Sequence, residues 1–530
     1  MVPALADRGT TPRVLRTFAV FAAALISACA SLPDNIERPI SEAYSDTQDT
    51  QLGQAVLKQT RSRPNESGFL LVSDGLDAFV ARTALAQAAE RSIDAQYYLL
   101  NDDSIGALFV DQLIDAADRG VKVRLLVDDM DLGGRTLGAA ALDSHPNVEV
   151  RLFNPFHRGA SRSAQLVARF GSVTRRMHNK SFTVDNQAAI LGGRNIGDEY
   201  FEADAEVSFT DIDVLLIGPV VKEVSESFDR YWNSELAYPA IALLGRAPSA
   251  NEYQQKYEQL KAKVEREVDP AYRNALRNTD LADRIRTHDL TFDWGPAQVV
   301  YDAPEKVQVS RSATHYHLSS QLRPLFEGIR RELLIISPYF VPGKRGTAFL
   351  TDLADRGVKV GVVTNSLSAT DVPVVHAGYS RYRKALLRAG VELFEFKSDA
   401  KRPKRFGDSG FSGSSSASLH TKAFLFDRHK FFIGSMNLDP RSSYENTEVG
   451  VVFTSPVLGA QVSRDVERAL PLVAYRLDLT TGVDGSEQII WHEPTATGQV
   501  MQVHSVDPET SFWVRFWTGL VGLLPIESQL

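Results

Sequence analysis

The chain has 530 residues, of which 43% are hydrophobic and 23% are charged, and this composition excludes a disordered or fibrous protein. The length allows roughly two or three domains. A formal net charge of −8 argues against a dedicated nucleic-acid-binding protein, so an anionic substrate would have to meet locally placed positive charges. Basic clusters such as Arg175-Arg176 exist, but a solvated surface is the simpler interpretation of each.

An export signal is predicted at the N-terminus. Arginines precede the apolar run Phe18–Ile26, which is too short to span a bilayer, and small residues follow it. The segment Ile26–Cys29 resembles a bacterial lipobox, which implies cleavage before Cys29 and lipidation of its thiol. Cys29 is the single cysteine, so neither an internal disulfide nor a cysteine-based zinc site can form. We expect a lipoprotein signal peptide over residues 1–28, although an ordinary signal peptide is the alternative.

This anchor predicts a location in the bacterial cell envelope. Two or more acyl chains on one residue give stable membrane attachment. Ala30, rather than an aspartate, follows Cys29, and by the usual sorting logic this favours the outer membrane over the cytoplasmic membrane. Residues 29–66 are polar and contain several prolines, which predicts a tether.

Folded sequence is expected from residue 67. Helical patterns alternate with short apolar strands, which indicates an α/β layer architecture. In chain order these elements are a helix at Leu76–Arg91, a strand at Ile93–Leu99, a helix at Ile105–Asp118, and strands at Val121–Val127 and Val148–Leu152.

The pattern then recurs. Ala117–Val123 is identical to Ala354–Val360, and each copy ends a helix with glycine and starts a strand. A repeat at so long an interval indicates a duplicated domain rather than a solenoid. We predict a first half at residues 67–240 and a second half at 299–480. A charged, helix-prone insertion or connector at 241–298 joins them.

Each half closes on the same HxKxxxxD motif. A single match would be a weak signal, but here an apolar strand, a pair of small residues and an asparagine follow both copies in the same register, which is a strong one. The first copy contains His178, Lys180, Asp185 and Asn195, and the second contains His420, Lys422, Asp427 and Asn437.

The motif suits phosphoryl chemistry. On a strand, its histidine and lysine point to the same face. A neutral imidazole can attack phosphorus, while the lysine neutralises non-bridging oxygens. Two motifs meeting across a pseudo-two-fold axis supply both a nucleophile and an acid, so the pattern calls for no metal and no cofactor. His315 and His317 could form a metal pair, but no further ligand stands at a suitable spacing.

These features resemble the phospholipase D superfamily, from about Gly68 to the C-terminus. Stretches such as Leu152–Phe156, Gly192–Asp198 and Asp439–Ser442 are similar to bacterial cardiolipin synthases of the C type. The resemblance implies two α/β/α-layered halves with one active site at their pseudo-two-fold interface, and a phosphohistidine intermediate.

The resemblance also implies individual roles. His178 would attack, His420 would act as acid and base, and Lys180 and Lys422 would bind the phosphate. Asp185 and Asp427 complete the motifs as supporting residues. Asn195 and Asn437 would hold phosphate oxygens, and Glu448, in Asn446–Glu448, would orient a histidine.

The C-terminal tail, residues 481–530, contains a second membrane feature. Two of the five tryptophans lie in Phe512–Trp517, beside the short apolar run Leu520–Leu524. Tryptophan with arginine suits a bilayer interface, although a helix docked on the domain surface is an equal alternative.

The sequence therefore predicts a phosphatidyl-transferring enzyme whose partners are phospholipid substrates and a membrane surface, with no nucleic acid. Phospholipid hydrolysis, with water as acceptor, is the nearest alternative. An endonuclease shares the motif chemistry, but the acidic chain and the anchor disfavour it. A catalytically silent envelope scaffold is disfavoured because every motif residue is intact.

Overall fold

The structure is a computed structural model that describes residues 32–33, 37–130, 132, 134–159, 161–168, 171, 173–204, 207–287, 289–400, 416–482, 485–494 and 501–522. The predicted signal peptide and Cys29 lie outside these described residues. Within them, each helix is too short or too polar to cross a membrane.

The first half is built on one large mixed sheet. Its strands are β1 (Ser67–Val72), β2 (Ser92–Tyr97), β3 (Lys122–Asp128), β4 (Val148–Phe153), β5 (Ser181–Val184), β6 (Ala188–Gly192), β7 (Val207–Thr210), β8 (Asp213–Ile217), β9 (Ala237–Pro239) and β10 (Asp293–Gly295). All except β7 form a nine-stranded sheet in the order β10-β1-β8-β6-β5-β2-β3-β4-β9. The central strands β2 and β5 are buried throughout, as expected where helices cover both faces of a sheet.

Some helices of this half start at side-chain caps. Asp74 and Asp103 each accept a hydrogen bond from a backbone N–H of the first turn, which replaces a missing helical partner. The helices are Gln51–Thr60, Gly75–Ala88, Ser104–Asp118, Thr136–Leu142, Arg162–Ala168, Val220–Trp232 and Ala240–Leu244, with a 3-10 turn at Asp198–Tyr200.

The second half repeats the sheet. Its strands are β11 (Ala297–Tyr301), β12 (Glu332–Ile336), β13 (Lys359–Asn365), β14 (Glu392–Phe396), β15 (Ser416–Leu419), β16 (Ala423–Phe426), β17 (Lys430–Gly434), β18 (Val449–Thr454), β19 (Ala474–Thr481), β20 (Glu487–Pro494) and β21 (Met501–His504). The ten-stranded order is β11-β18-β17-β16-β12-β13-β14-β19-β20-β21. Its first strands match β1-β8-β6-β5-β2-β3-β4 one for one, so the predicted duplicated α/β fold is confirmed.

The remaining helices belong to the second half and to the region between the halves. Those of the second half are Leu318–Glu327, Gly343–Asp355, Pro373–Ser380, Arg383–Arg388, Pro440–Tyr444, Pro456–Val473 and Phe512–Val521, with 3-10 turns at Pro304–Val307 and Thr314–Tyr316. The region predicted as a helical insertion contains Ala250–Glu267, Pro270–Arg277 and Asp280–Arg286, and the first of these packs on Ser104–Asp118.

The two sheets meet across a shared apolar core. Phe69 of the first half lies 4.4 Å from Phe453 of the second, measured between ring centroids, and Leu191 and Ile433 join the same cluster. Strand β7 of the first half also pairs in parallel with β15 of the second. This core holds the two sheets, and with them the two motifs, against each other.

The tether predicted for residues 29–66 is wrong over residues 37–66. The helix Gln51–Thr60 is capped by Thr50, and its Val56 is buried in the core of the first half. Further upstream, the carbonyl oxygen of Ser41 accepts hydrogen bonds from Arg124 and Asn233. The polar composition does not reveal that this segment is folded, because the segment is held mainly by hydrogen bonds between its backbone and side chains of the first half.

The tail predicted from residue 481 also differs. Strands β20 and β21 continue the second sheet antiparallel to β19, and Trp491 is buried with its Nε1 donating to Glu395 at 2.9 Å. The second folded unit therefore extends to at least His504, and the helix Phe512–Val521 lies against Pro373–Ser380.

Candidate active site

The two motifs place their histidines and lysines just ahead of β5 and β16. His178 and His420 are 9% and 6% exposed, and Lys180 and Lys422 are fully buried. Each lysine ammonium donates to the backbone carbonyl oxygen of its own motif histidine, which holds the lysine beside that residue. The site is therefore desolvated and holds two potential cations.

Each histidine is held by a carboxylate from the opposite half. Nδ1 of His178 lies 2.8 Å from Oε2 of Glu448, and Nδ1 of His420 lies 2.6 Å from Oδ2 of Asp211. Backbone hydrogen bonds also join the two halves here. The N–H of His178 donates to the carbonyl oxygen of Thr447, and the N–H of His420 donates to the carbonyl oxygen of Thr210. A carboxylate on Nδ1 leaves Nε2 as the atom that faces the chemistry.

Asp211 was not predicted from the sequence, although it is the structural counterpart of Glu448. In the hairpins that follow the motifs, Gly192 pairs with Asp213 and Gly434 pairs with Gly450. Asp211 and Glu448 each stand two residues before that second partner. In the sequence, each of these acidic residues stands shortly before the strand that follows the motif hairpin. The loops that precede Asp211 and Glu448 differ in length, however, so the correspondence between the two residues is not visible in the sequence.

The two carboxylates rest on different supports. A Cβ atom on Gly193 would lie 2.4 Å from Oδ1 of Asp211, so only glycine leaves room for this aspartate. At the equivalent place, Ser435 donates its hydroxyl to Oε2 of Glu448 at 2.5 Å. The backbone N–H of Glu448 is held in turn by Asp302 at 2.9 Å.

Aromatic rings line the same space. The Tyr98 ring lies 5.0 Å from His178, and the Tyr200 and Phe209 rings lie 5.2 Å and 5.1 Å from His420, measured between centroids. Such packing fixes the planes of the imidazoles and excludes water from them.

The two motif asparagines differ in their contacts. Asn195 donates to the hydroxyl of Tyr200 at 2.8 Å, so it reaches the environment of His420 through that ring. Asn437 lies buried, and its side-chain oxygen meets no hydrogen-bond partner among the described residues. An unpaired buried amide is costly unless a ligand completes it.

The motif aspartates lie at the other end of their strands. Asp185 accepts backbone N–H bonds from Glu90, Arg91 and Ser92, immediately before and at the start of β2. Asp427 accepts the equivalent bonds from residues 330–332 before β12. These contacts hold neighbouring strands in register, so both aspartates act on the site through the position of the strand.

Burial and mutual repulsion govern the charges. Burial, followed by the charges of Lys180 and Lys422, holds the pKa of His178 well below its usual range. Burial and Lys422 lower the pKa of His420 to about 4, although Asp211 opposes them. Burial also lowers the pKa of Lys422 to about 8 and that of Lys180 well below its usual range. An anionic phosphodiester would relieve this repulsion.

The pKa values of Glu448 and Asp211 are shifted in opposite directions. Burial raises the pKa of Glu448 to about 7, and Lys180 only partly offsets it. Burial also acts to raise the pKa of Asp211, but the charges of His420 and Lys422 outweigh it and the pKa is lowered. Asp211 is thus ionised at neutral pH, whereas Glu448 is close to its midpoint.

A cluster of metal-ligating side chains lies outside this site. Within the described residues, His376, Glu395 and Asp507 bring three potential ligand atoms together. The guanidinium of Arg383 occupies their centre, 2.8 Å from Glu395 and 3.0 Å from Asp507, and contacts His376 as well. This arginine already supplies the positive charge that the cluster needs.

Comparison with known proteins gives consistent matches. The family described as cardiolipin synthase, PLD-like domain, matches residues 82–232 and 325–470. Cardiolipin synthase C of Escherichia coli (strain K12) is 39% identical over 479 residues, 90% of this chain and 99% of that protein. An uncharacterized protein of Helicobacter pylori (strain ATCC 700392 / 26695) is 32% identical over 493 residues, 91% of this chain and 93% of that protein.

A solved structure shares the fold. The crystal structure of phosphatidylserine synthase from Haemophilus influenzae Rd KW20 superposes with a TM-score of 0.52 at 13% sequence identity, covering 88% of this chain and 95% of that one. At this identity the likeness concerns the arrangement of the two sheets.

Proposed function

Because the chain belongs to the phospholipase D-like family of cardiolipin synthases, we propose that it transfers a phosphatidyl group from one phospholipid to the hydroxyl of another. The observation that carries this proposal is the pair of crossed contacts, His178 with Glu448 and His420 with Asp211. They supply two oriented imidazoles beside two lysines in one buried site, which is what a double displacement at phosphorus requires.

In the first step, Nε2 of neutral His178 attacks phosphorus and the bond from phosphorus to the head-group oxygen breaks. His420, protonated and paired with Asp211, gives its Nε2 proton to the departing alkoxide. Lys180 and Lys422 neutralise the non-bridging oxygens. A bound substrate favours this protonation, because its negative charge offsets the positive charge of Lys422, which lowers the pKa of His420.

In the second step, neutral His420 takes the proton of an acceptor hydroxyl. The acceptor oxygen attacks phosphorus, and the bond to Nε2 of His178 breaks. His178 and protonated His420 are both regenerated, so protons balance over the cycle. Glu448 holds the Nδ1 proton of His178 and stabilises the charge that develops on the ring during both steps.

Burial of the site favours a lipid acceptor over water. His178 and His420 are both less than a tenth exposed, and aromatic rings pack against both. A bound lipid hydroxyl can displace the remaining water from this pocket, so transfer is preferred to hydrolysis. The net charge of −8 likewise supports a phospholipid substrate over a nucleic acid.

The test is a product assay with purified full-length protein and phosphatidylglycerol vesicles, analysed by mass spectrometry. Transfer predicts a lipid with two phosphatidyl groups on one glycerol, together with released glycerol. Phosphatidic acid as the only lipid product, again with released glycerol, would establish hydrolysis instead. Loss of both products in His178→Ala and His420→Ala would assign them to this site.

We also propose that the mature protein is lipid-anchored at Cys29 in the cell envelope, with the outer membrane favoured. The support is the sequence alone: basic residues, a short apolar run, and the single cysteine at the lipobox position. Labelling with a fatty-acid analogue should mark the wild-type protein and not Cys29→Ser. Equal labelling of the two would contradict the anchor.

A further inference from the structure

The helix Phe512–Val521 exposes an unusual number of apolar side chains. In the described part of the chain, the other strongly exposed large apolar residues are spread over separate segments, whereas this helix presents six within ten residues. The six are Phe512 (63%), Trp513 (64%), Val514 (42%), Phe516 (48%), Trp517 (58%) and Leu520 (46%). A contiguous, solvent-exposed apolar patch of this kind marks an interaction site.

The exposed residues form one face of the helix. At the α-helical period, Phe512, Trp513, Phe516, Trp517 and Leu520 follow one another along a single stripe. The opposite side, which includes Arg515 and Thr518, is half-buried. The helix therefore rests on the protein with its polar side and directs its aromatic side outward.

The segment that carries this helix is firmly attached. Asp507 forms an ion pair with buried Arg383 at 3.0 Å, and Glu509 accepts a hydrogen bond from Ser398. At the other end, Arg381 donates to the carbonyl oxygen of Gly522. These polar contacts fix the orientation of the helix and do not cover its aromatic face.

The aromatic face lies near the active site. The helix packs on Pro373–Ser380, and Asp371 stands just before that helix. Asp371 accepts a hydrogen bond from Tyr339 at 2.7 Å, and its charge also acts on Lys422 in the catalytic pair. One helix thus separates the patch from residues that border the site.

We propose that this aromatic face docks the enzyme on the surface of a phospholipid bilayer, from which the site receives its lipid. Tryptophan and phenylalanine partition to the bilayer interface. Ten helical residues span only about 15 Å, which suits a helix lying in the interface. The helix contains no acidic residue, so its exposed face carries no charge that would repel lipid phosphates.

Tryptophan fluorescence tests the docking directly. Full-length protein is mixed with vesicles of phosphatidylglycerol and phosphatidylethanolamine whose acyl chains carry bromine. Trp513 and Trp517 should shift to shorter wavelength and be quenched, because their rings enter the acyl boundary. A Trp513→Phe/Trp517→Phe variant should lose this response and thereby assign it. An anchor at Cys29 holds the chain near the vesicle without quenching these two rings.

Turnover supplies the second readout. Trp513→Ala/Trp517→Ala should lower kcat/KM on vesicles roughly tenfold or more, because two large aromatic anchors are lost. The same variant should match wild type on a short-chain phospholipid dispersed as monomers. Val457→Ala/Leu472→Ala is the matched control, because both residues are exposed apolar side chains, on the helix Pro456–Val473. It should behave as wild type on both substrates.

Other occupants of the patch give distinct results, each of which overturns the proposal. If residues 523–530 cover the face, tryptophan emission is already shifted before vesicles are added and does not change. If a second copy covers it, the shift follows protein concentration without lipid. Unchanged vesicle turnover in the alanine variant also overturns it.

This inference rests on the proposed phosphatidyl transfer, but the two can fail separately. Transfer without quenching of Trp513 and Trp517 contradicts only the docking face. Quenching without transfer or hydrolysis, on either vesicles or monomeric lipid, contradicts only the proposed function.

Discussion

The two half-sites are built alike and yet carry different charges. His178 faces Glu448, which rests on the hydroxyl of Ser435, while His420 faces Asp211 above Gly193. Burial raises the pKa of Glu448 to about 7, whereas the neighbouring cations keep the pKa of Asp211 low. One histidine therefore has a permanently ionised partner and the other does not.

This difference separates the roles that a symmetric duplication would leave equal. An ionised Asp211 stabilises an imidazolium, which suits His420 for proton transfer. Burial and the two lysines lower the pKa of His178, which keeps its ring neutral, as attack on phosphorus in the proposed reaction requires. Two environments around one motif thus provide a nucleophile and an acid.

The largest effect is expected from removing either histidine. His178→Ala and His420→Ala should each lower kcat by on the order of 10⁴-fold or more, because His178 is needed to form the adduct and His420 to activate the acceptor that breaks it down. The measurement is product formation from labelled phosphatidylglycerol, with circular dichroism to confirm folding. Near-wild-type turnover in either variant would contradict a single shared site.

The same pair of variants tests which histidine attacks. With His420→Ala and labelled donor lipid, rapid quenching should trap an acid-labile label on the peptide that contains His178. His178→Ala should trap none. Label on the His420 peptide in the second variant would exchange the two roles. Net inversion at phosphorus with a chiral substrate, in place of retention, would exclude two successive displacements.

A smaller loss is expected when a carboxylate is replaced by its amide. Asp211→Asn and Glu448→Gln should each lower kcat by roughly 10²-fold, since the amide no longer balances a charged imidazole. Asp211→Asn should affect protonation of the leaving group more strongly. A donor with a more acidic leaving group should therefore rescue Asp211→Asn better than Glu448→Gln, and equal rescue would remove the assignment of roles.

The pH profile distinguishes the half-sites without changing the fold. Glu448 must be ionised to hold the Nδ1 proton of His178, and its pKa is raised to about 7. At saturating lipid, where the bound phosphate keeps His420 protonated, wild-type kcat should therefore rise as pH increases through about 7. Below that midpoint the loss is roughly tenfold per pH unit. Glu448→Gln should lack this limb, and Asp211→Asn should keep it, because the pKa of Asp211 is lowered. Persistence of the limb in Glu448→Gln would assign it to another group.

The supports beneath the carboxylates should give milder effects. In Gly193→Ala the new Cβ lies within contact distance of Asp211 and displaces its carboxylate, which should cost roughly tenfold in kcat. Ser435→Ala removes a hydrogen bond that lowers the pKa of Glu448, so its activity limb should move to higher pH with a smaller loss in kcat. Gly138→Ala, in the helix Thr136–Leu142, is the control for Gly193→Ala, because a Cβ atom added there has open space. The comparison fails if Ser435→Ala is the more damaging of the two carboxylate-support variants.

The smallest effect on catalysis is expected at the motif aspartates. Asp185→Asn should lower the free energy of unfolding by about 1–3 kcal/mol, because the buried amide nitrogen cannot accept the N–H bond of Glu90 and the negative charge that the N–H groups of Arg91 and Ser92 meet is lost. Asp427→Asn should cost less, because Asp427 is partly exposed. Urea unfolding measures both, and kcat of the folded protein should stay close to wild type. A large loss of kcat without loss of stability would place these aspartates in the chemistry.

Much of the site was accessible from the sequence because it lies in short, repeated segments. The spacing of His178, Lys180 and Asn195 recurs in the second half, and local strand geometry alone orients such residues together. The duplicated α/β fold follows from the same repetition. Glu448 could be named because it stands beside a recognisable stretch.

Tertiary structure decided which carboxylate meets which histidine. Asp211 lies 209 positions from His420 along the chain and reaches it only because the two sheets pack face to face and β7 pairs with β15. Residues 37–66 are likewise ordered by distant side chains such as Arg124, which their own polar sequence does not reveal. Local patterns specify strands and helices, whereas contacts between halves depend on how the assembled faces fit, and that fit also set the unequal charges of the two half-sites.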